Sequence, residues 1–207
     1  MARWGLSGAF CVYLWRKLCH IVGMRNLAIL SILLALGGQP AVAVDNDASR
    51  SDQLDKLFGE LHQASTARNP NTIIADIWQI WGSNNSATAE LLIREGTAAM
   101  NAHEYDAAEK VLIQLIESYP DYAEGWNKRA TLYFMMGRFD ASLTDIQHVL
   151  DLEPRHFGAL AGKAAILRAQ GKNREALGVL RETLTINPHM DSVKLAIKEL
   201  EKTQPDI

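Results

Sequence analysis

The residues of this chain that could support catalysis do not fall at the spacings that known reactions need. Residues 158–164, GALAGKA, come nearest, because they suggest a phosphate-binding loop. That loop has four residues between Gly and Gly-Lys and a Ser or Thr after the Lys. Here three residues intervene and Ala164 follows the Lys. The sequence has no GxSxG or HExxH motif, and its two cysteines, Cys11 and Cys19, both lie near the N-terminus, so we predict neither a nucleotide site nor a nucleophilic serine or cysteine.

Histidines are the remaining candidates for metal binding or proton transfer. His103, His156 and His189 fall in or near turns between predicted helices, and His62 and His148 lie on helices that are far apart in the chain. Histidines placed in this way are more typical of helix caps and solvent contacts than of a metal site. We therefore expect no cofactor, no metal and no enzymatic activity, which leaves a binding surface as the basis of function.

The composition excludes several classes of protein. The 207 residues are 48% hydrophobic and 22% charged, with a formal net charge of −3, so the chain is neither disordered nor a polytopic membrane protein. It lacks the basic excess that binding to a phosphate backbone needs, and no nucleic-acid partner is expected. Residues 1–43 carry basic side chains and no acid, so the acidic excess lies entirely in the remainder of the chain.

The N-terminal region has the order of parts of a secretory signal. Arg25 precedes an apolar run, LAILSILLAL, at residues 27–36, after which GGQP breaks the helix. Ala41 and Ala43 then supply small side chains at positions −3 and −1 of a cleavage site. The pattern predicts cleavage after Ala43 and a periplasmic or secreted protein.

Two alternatives concern the same region. A start at Met24 would give a compact signal with a Met-Arg-Asn n-region, so that residue is a candidate for the true start. An uncleaved helix would instead anchor the protein in the inner membrane, since residues 26–44 are uncharged, although Gly37, Gly38 and Pro40 interrupt them. Beyond the signal or anchor, no membrane contact is expected.

A period of 34 residues organises the rest of the chain. Pro120, Pro154 and Pro188 recur at this interval, and taking each as position 32 starts repeats at residues 89, 123 and 157. Apolar or small side chains then recur at positions 4, 8 and 11 and at positions 20, 24 and 28. In that order the columns are Leu92, Trp126, Leu160; Gly96, Ala130, Ala164; Ala99, Tyr133, Leu167; Ala108, Ser142, Ala176; Leu112, Ile146, Leu180; and Ile116, Leu150, Leu184.

These columns predict two antiparallel amphipathic helices in each repeat, because each set of positions shares one helix face. Small side chains at positions 8 and 20 let the two backbones approach closely. Residues 123–156 resemble the tetratricopeptide repeat (TPR) consensus at nearly every diagnostic position. The resemblance implies an all-α, right-handed α-solenoid of TPR helix hairpins. WNKRAT, followed by PRHFGAL, is also similar to small exported bacterial TPR proteins of unassigned role.

The predicted organisation has seven parts. They are a signal sequence at 1–43, a polar linker at 44–51, a degenerate N-terminal helical pair at 52–86, repeats at 89–122, 123–156 and 157–190, and a capping helix at 190–203.

The resemblance implies that the first helix of each repeat lines a concave groove that binds a protein or peptide partner. Seven residues are the candidates for that groove: Ile93, Thr97, Met100, Asn127, Thr131, Phe134 and Arg168. Similar co-chaperone domains clamp a C-terminal carboxylate with Lys, Asn and Arg, whereas here the clamp positions hold Ile93, Thr97, Lys128, Gly158 and Gly162. We therefore predict a scaffold or adaptor without that clamp. The partner and the oligomeric state are left open.

Two further expectations concern packing. Trp78, Trp81, Trp126, Tyr133 and Phe139 occupy packing columns and are expected in the core. Position 7 holds Glu95, Arg129 and Lys163, and this recurrence of charge suggests two alternatives. Glu95 could pair with Arg129 across repeats, or the three aliphatic stems could simply carry their charges to solvent.

Overall fold

A computed structural model describes residues 43–63 and 68–203, with side chains from Ser49 onward. The described residues form nine α-helices and no strand. They are α1 (Ala43–Gln63), α2 (Pro70–Gly82), α3 (Ala87–Asn101), α4 (Tyr105–Ser118), α5 (Ala123–Met135), α6 (Phe139–Leu152), α7 (Phe157–Ala169), α8 (Asn173–Ile186) and α9 (Asp191–Thr203). None of these helices is long and apolar enough to cross a membrane. The signal sequence predicted at 1–43 lies outside the described residues, except for Ala43.

The chain divides into two units, Met1–Asp45 and Asn46–Ile207, and the helical array belongs to the second. Helices α3 to α8 form three hairpins, one for each 34-residue period, and α9 packs on α8. The fold is all-α and solenoid-like, as the periodicity predicts. Its second helices begin after a tight turn in which His103, Gly137 and Gly171 all have positive φ. The left-handed conformation therefore persists in the first repeat although His103 replaces the glycine that the other two turns use.

Small side chains determine how closely the two helices of a hairpin approach. In the first repeat a Cβ added to Gly96 would lie 2.9 Å from Leu112 Cδ2, so only glycine fits without displacing that leucine. In the second repeat the hydroxyl of Ser142 donates a hydrogen bond of 2.7 Å to the carbonyl oxygen of Ala130. This bond satisfies a polar group that is buried where the helices touch.

The charged column at position 7 is arranged differently from the ion pair suggested by the sequence. Arg129 Nε and Nη2 each donate a 2.8 Å hydrogen bond to the carboxylate of Asp145, which is buried on α6. Glu95 is exposed and does not pair with Arg129. The pairing with Asp145 lies within one hairpin and is bidentate, so the guanidinium is already committed.

Helices α1 and α2 do not stack on the first repeat in the way that a preceding repeat would. Leu54, Leu61 and Trp81 belong instead to a core cluster that includes Phe157 at the start of α7. Ile186, the last residue of α8, and Met190, which follows that helix, pack against the same cluster. The pair therefore lies along the edge of the solenoid where successive repeats are joined, and the register of a degenerate first repeat does not describe its packing.

Polar contacts link this α1–α2 hairpin to the junctions between repeats. Tyr122, before α5, donates its hydroxyl to the carbonyl oxygen of Gly82 at 2.6 Å. At the next junction Arg155 Nη1 lies 2.6 Å from Asp55 Oδ1. At the third junction His189 Nε2 lies 3.0 Å from the carbonyl oxygen of Leu61. Three consecutive junctions are thus held by one hairpin, a source of long-range coupling that a purely stacked repeat array lacks.

The segment expected as a polar linker, residues 44–51, is helical and forms the first part of α1. It contains neither Gly nor Pro, so nothing in it stops a helix from extending back from the apolar positions that follow. Arg50 also fixes this part of the helix, because its Nη1 donates a 3.1 Å hydrogen bond to the carbonyl oxygen of Ser83 at the end of α2.

Two glycines on α7 allow a test of how the α1–α2 hairpin packs against that helix. A Cβ added to Gly158 would lie 2.6 Å from Trp78 Cη2, whereas one added to Gly162 would meet Ile146 Cδ1 at 3.7 Å, an ordinary contact. We expect Gly158→Ala to destabilise the protein by about 1–3 kcal/mol relative to Gly162→Ala. Alanine gains about 1 kcal/mol of helix propensity at the interior position 162 and less at 158, the second residue of α7, so a difference above about 1 kcal/mol measures the clash with Trp78. Urea unfolding followed by tryptophan fluorescence measures it, and equal stability of the two variants would contradict this seating of α2.

Candidate partner-binding groove

A pocket of about 120 Å³ opens between α5 and α7 on the face that the repeat register assigns to the groove. Asn127, Thr131 and Phe134 of α5 line one side of it. The α7 side carries small residues together with the buried Ile166, and the lining is mainly apolar. Those further lining residues are Gly158, Ala159, Gly162, Ala165, Ile166, Ala130, Ser142 and Ile146. Since pockets for drug-sized ligands usually exceed about 300 Å³, this one matches a single apolar side chain better than a small-molecule ligand.

Three of the predicted groove residues therefore come together at this pocket. Phe134 is 39% exposed and supplies an apolar wall, with its ring 5.8 Å from that of Phe139. Asn127 is half-buried and donates from Nδ2 to Glu124 Oε2 at 2.9 Å. The Thr131 hydroxyl donates to the carbonyl oxygen of Asn127 at 2.9 Å. The polar groups at the rim are thus held in place by the helix itself.

Ile93 and Thr97 lie in a second, more open cleft rather than in this pocket. The cleft has a volume of about 550 Å³ and runs between α2, α3 and α5. Trp78 and Gly82 form its α2 side, and Lys128 lines its α5 side. Thr97 donates its hydroxyl to the carbonyl oxygen of Ile93 at 2.7 Å, so it is already bonded within its own helix. The two halves of the predicted groove are therefore adjacent spaces on either side of α5.

Met100 and Arg168 differ from the predicted groove. Met100 is only 6% exposed and belongs to the core of the first repeat, so the structure corrects its placement: it packs inside the hairpin and cannot reach a partner. Arg168 is exposed in the last turn of α7 but does not line the pocket, and its Nη2 lies 3.5 Å from Glu199 Oε2 on α9. Of the three residues at position 12, only Phe134 of the second repeat lines the pocket.

A buried charge cluster lies beneath the boundary between the two spaces. Glu124 is 4% exposed and His156 is fully buried, with Glu124 Oε2 3.4 Å from His156 Nε2. His156 Nδ1 accepts a hydrogen bond of 3.1 Å from the backbone N–H of Ala159, which caps α7 and leaves the ring proton on Nε2, facing the carboxylate. Burial alone would raise the pKa of Glu124, but His156, the ammonium of Lys128 and the amide of Asn127 outweigh it and hold that pKa below its usual value.

Aromatic side chains hold this cluster against the α1–α2 hairpin. The Trp81 and His156 rings stack with centroids 4.2 Å apart and an interplanar angle of 14°. Trp81 is 2% exposed, as its packing column predicts, whereas Trp78 is half-buried and Trp126 also remains half-buried. Trp78 meets Phe157 edge to face at 5.5 Å and covers Gly158 at the end of the pocket.

The sequence did not identify three features of this site: the Glu124–His156 cluster, the role of Trp78, and the small residues of α7. Glycine and alanine carry no functional group that would mark them as site residues. A signal was nevertheless present, because Gly158, Ala161 and Ala165 are small at concave positions where the second repeat has Glu124, Asn127 and Thr131. Small residues opposite larger ones leave a space.

The polar side chains around the pocket are largely engaged in contacts within the protein. In the part of the chain that the structure describes, no three His, Cys, Asp or Glu side chains are grouped so that they could hold a metal ion. The buried carboxylate of Glu124 is already paired with His156, Lys128 and Asn127 beneath the surface. The apolar pocket and the neighbouring cleft are the spaces on this face that a ligand could enter.

Comparison with known proteins agrees with this architecture. A family model described as "Tetratricopeptide repeat" matches residues 93–145 and 127–191. A TPR repeat-containing protein of Rhizobium etli is 37% identical over 168 residues, covering 77% of this chain and 82% of that protein. Sperm-associated antigen 1 of Mus musculus is 28% identical over 108 residues, which cover 52% of this chain but only 12% of that much longer protein. The chain belongs to the tetratricopeptide repeat family.

Solved structures share the fold at low sequence identity. The TPR domain of Arabidopsis OM64 aligns with a TM-score of 0.54 and 19% identity, covering 56% of this chain and 96% of that domain. The first TPR domain of Spaghetti (RPAP3), bound to an HSP90 peptide, aligns with a TM-score of 0.55 and 19% identity, covering 59% and 97%. The three hairpins therefore have the TPR fold.

The Glu124 cluster gives a pH dependence to stability. Because the pKa of Glu124 is lowered on folding, its contribution is fully present above the pKa of the unfolded carboxyl, about 4.3, and is lost as the pH falls through the folded-state pKa. We expect Glu124→Gln to lower the free energy of unfolding by about 1–3 kcal/mol at pH 7. The difference from the unmodified protein should shrink below about pH 5.

Urea titrations at a series of pH values measure this difference. Glu90→Gln is the matched control, since Glu90 is the exposed residue at the same repeat position on α3. The control should stay within about 0.5 kcal/mol of the unmodified protein at every pH. A Glu124→Gln loss that does not change with pH would show that the buried charge is not the stabilising group.

Proposed function

We propose that the protein is a non-catalytic, exported scaffold that binds a segment of a protein partner through the pocket between α5 and α7. The observation that carries the proposal is the pocket itself: an apolar space of about 120 Å³ whose α5 wall carries Asn127, Thr131 and Phe134. These residues are on rigid helices, so the space is preformed and a partner loses little free energy in ordering it.

The chemistry of the walls indicates what the pocket receives. Phe134 and Ile146 offer apolar contact, and the small residues Gly162 and Ala165 leave room for a partner's backbone beside α7. The amide of Asn127 lies at the rim, where it can meet a peptide group with both a donor and an acceptor. We infer a partner segment that inserts one aliphatic side chain and passes its backbone over α7.

The partner segment differs from the peptides recognised by co-chaperone TPR domains. The first TPR domain of Spaghetti was solved with an HSP90 peptide, and the TPR2B domain of yeast Sti1 was solved with an Hsp70 peptide. Here Ile93, Thr97 and Gly162 stand where the carboxylate clamp needs charged or amide side chains. Apolar insertion, rather than capture of a terminal carboxylate, is therefore the mode of binding that we propose.

Export before binding is the second part of the proposal. Its support is the sequence order of Arg25, the apolar run at 27–36 and the Ala41-x-Ala43 pair. The alternative is that the same helix stays uncleaved, so that the protein is an accessory subunit of an envelope complex anchored in the inner membrane. The groove would have the same role in both cases.

Blocking the pocket should abolish partner binding without unfolding the protein. Ala165→Leu adds an apolar side chain to the pocket wall, whereas Ala161→Leu makes the same change on the same helix at a half-buried residue that does not line the pocket. We expect Ala165→Leu to weaken binding at least about tenfold, because the inserted side chain would lose its site. Ala161→Leu should bind normally.

The measurement has two steps. Proteins of the native host that co-purify with the unmodified chain are identified by mass spectrometry, and the affinity of the purified partner is then measured for each variant. Circular dichroism confirms that both variants keep their helical content. Equal affinity of Ala165→Leu and the unmodified chain would place the partner elsewhere on the surface.

The length of the exported chain tests cleavage. The intact mass of the protein purified from its native host should correspond to a chain beginning at Val44. A mass that includes residues 27–36, together with recovery in the membrane fraction, would instead establish the uncleaved anchor.

A further inference from the structure

The stacking of successive repeats buries two positions on the first helix of each repeat. Positions 3 and 10 are Gly125 and Leu132 on α5, and Ala159 and Ile166 on α7, and all four are buried. The helix that covers them is the second helix of the preceding repeat: a Cβ added to Gly125, for example, would lie 3.3 Å from Leu115 Cδ2 of α4. These two columns are thus the contact surface that one repeat offers to the helix before it.

In the first repeat, no described residue covers the equivalent surface of α3. Positions 3 and 10 of α3 are Leu91, which is 42% exposed, and Ala98, which is also exposed. Glu95 and Ala102 continue the same helix face and are exposed as well. We call Leu91, Glu95, Ala98 and Ala102 the N-terminal end face.

The α1–α2 hairpin does not take the place of the missing helix. Among the described residues, the core cluster of the first repeat contains none from α1 or α2. Between α2 and α3 lies the open cleft of about 550 Å³, which Ala98 helps to line. The hairpin packs on the junctions between repeats instead, so no residue of 43–63 or 68–203 covers the end face.

Charged side chains cover the C-terminal end of the array. Helix α9 occupies the place of a first helix, and its positions 4, 8 and 11 are Lys194, Lys198 and Glu201, all exposed. In the three repeats these positions are the apolar or small columns that pack against a second helix. A terminal helix whose outer columns are charged is a solvating cap. The N-terminal end face keeps apolar and small residues at its stacking columns and therefore lacks such a cap.

We propose that the N-terminal end face binds an amphipathic α-helix of a partner protein, in the position that a preceding repeat's second helix would occupy. The docking continues the established stacking of α4 on α5 and of α6 on α7. Ala98 and Ala102 allow the helix to approach closely, and Leu91 packs against its apolar stripe. Glu95, which makes no ion pair within the described residues, faces a lysine or arginine on that helix.

A second copy of this chain fits the end face less well. In a two-fold dimer through this face, Glu95 would lie near its own copy, and the like charges would repel. In a head-to-tail array, α9 would present Lys194, Lys198 and Glu201 to Leu91 and Ala98, which need apolar partners. The proposal is also independent of the pocket between α5 and α7, because different helices and different side chains form the two surfaces.

Site-specific photo-crosslinking tests this docking in the full chain. Leu91 and, as the matched control, Leu195 are each replaced by p-benzoylphenylalanine, since Leu195 is a 57% exposed leucine at a different face of a first-type helix. Each variant is expressed in the native host, irradiated, and its cross-linked peptide is identified by mass spectrometry. We expect position 91, and not position 195, to label an apolar residue in a partner segment with helical apolar spacing and a basic residue within one turn.

Charge exchange then separates this docking from incidental proximity. Glu95→Lys should lower the yield of the position-91 adduct at least tenfold, and changing the partner's basic residue to glutamate should restore it. Ala165→Leu, which blocks the pocket, should leave that adduct unchanged. The proposal is overturned if position 91 gives no adduct, an adduct with a second copy of this chain, an adduct with a non-helical segment, or a yield that does not respond to Glu95→Lys.

Discussion

The stacking of Trp81 on His156 is the interaction on which the rest of this structure depends. His156 caps α7 through Nδ1 and turns its other nitrogen toward the buried carboxylate of Glu124 at the start of α5. Two consecutive repeats are thus joined by one fully buried ring, and the indole of Trp81 covers that ring from the α1–α2 hairpin. An unpaired buried carboxylate would be costly, so the position of the hairpin and the relative position of α5 and α7 are linked.

The pocket follows from this linkage. It lies between α5 and α7, the two helices that the Glu124–His156 contact joins, and it ends where Trp78 covers Gly158. The glycines and alanines of α7 make room, and the Glu124–His156 contact holds the two helices at the distance that leaves this room. A solenoid whose junctions were held only by stacking would vary this distance more freely. The hairpin therefore helps to shape the pocket, although it contributes no lining residue to it.

The sequence predicts the three hairpins well because each depends on local periodicity. The sequence shows the small residues at positions 8 and 20 that let the two helices approach. It also shows the prolines that end the second helices, Pro120, Pro154 and Pro188, and the turn glycines Gly137 and Gly171. The seating of α1 and α2 is not, because it depends on contacts between residues far apart in sequence, such as Trp81 with His156. Met100 shows a second limit: whether a position near a helix end faces the groove or the core depends on how that helix is rotated in the hairpin.

Native-state hydrogen exchange tests most directly whether the hairpin and the repeats form one cooperative unit. We expect the slowest amides of α2, around Ile77 and Trp81, to open with the same free energy as those of α7, around Leu160 and Ala164, since the buried ring of His156 contacts both helices. If the α2 amides exchange through an opening that costs at least about 2 kcal/mol less while α7 stays protected, the hairpin is an appendage and the central claim is contradicted.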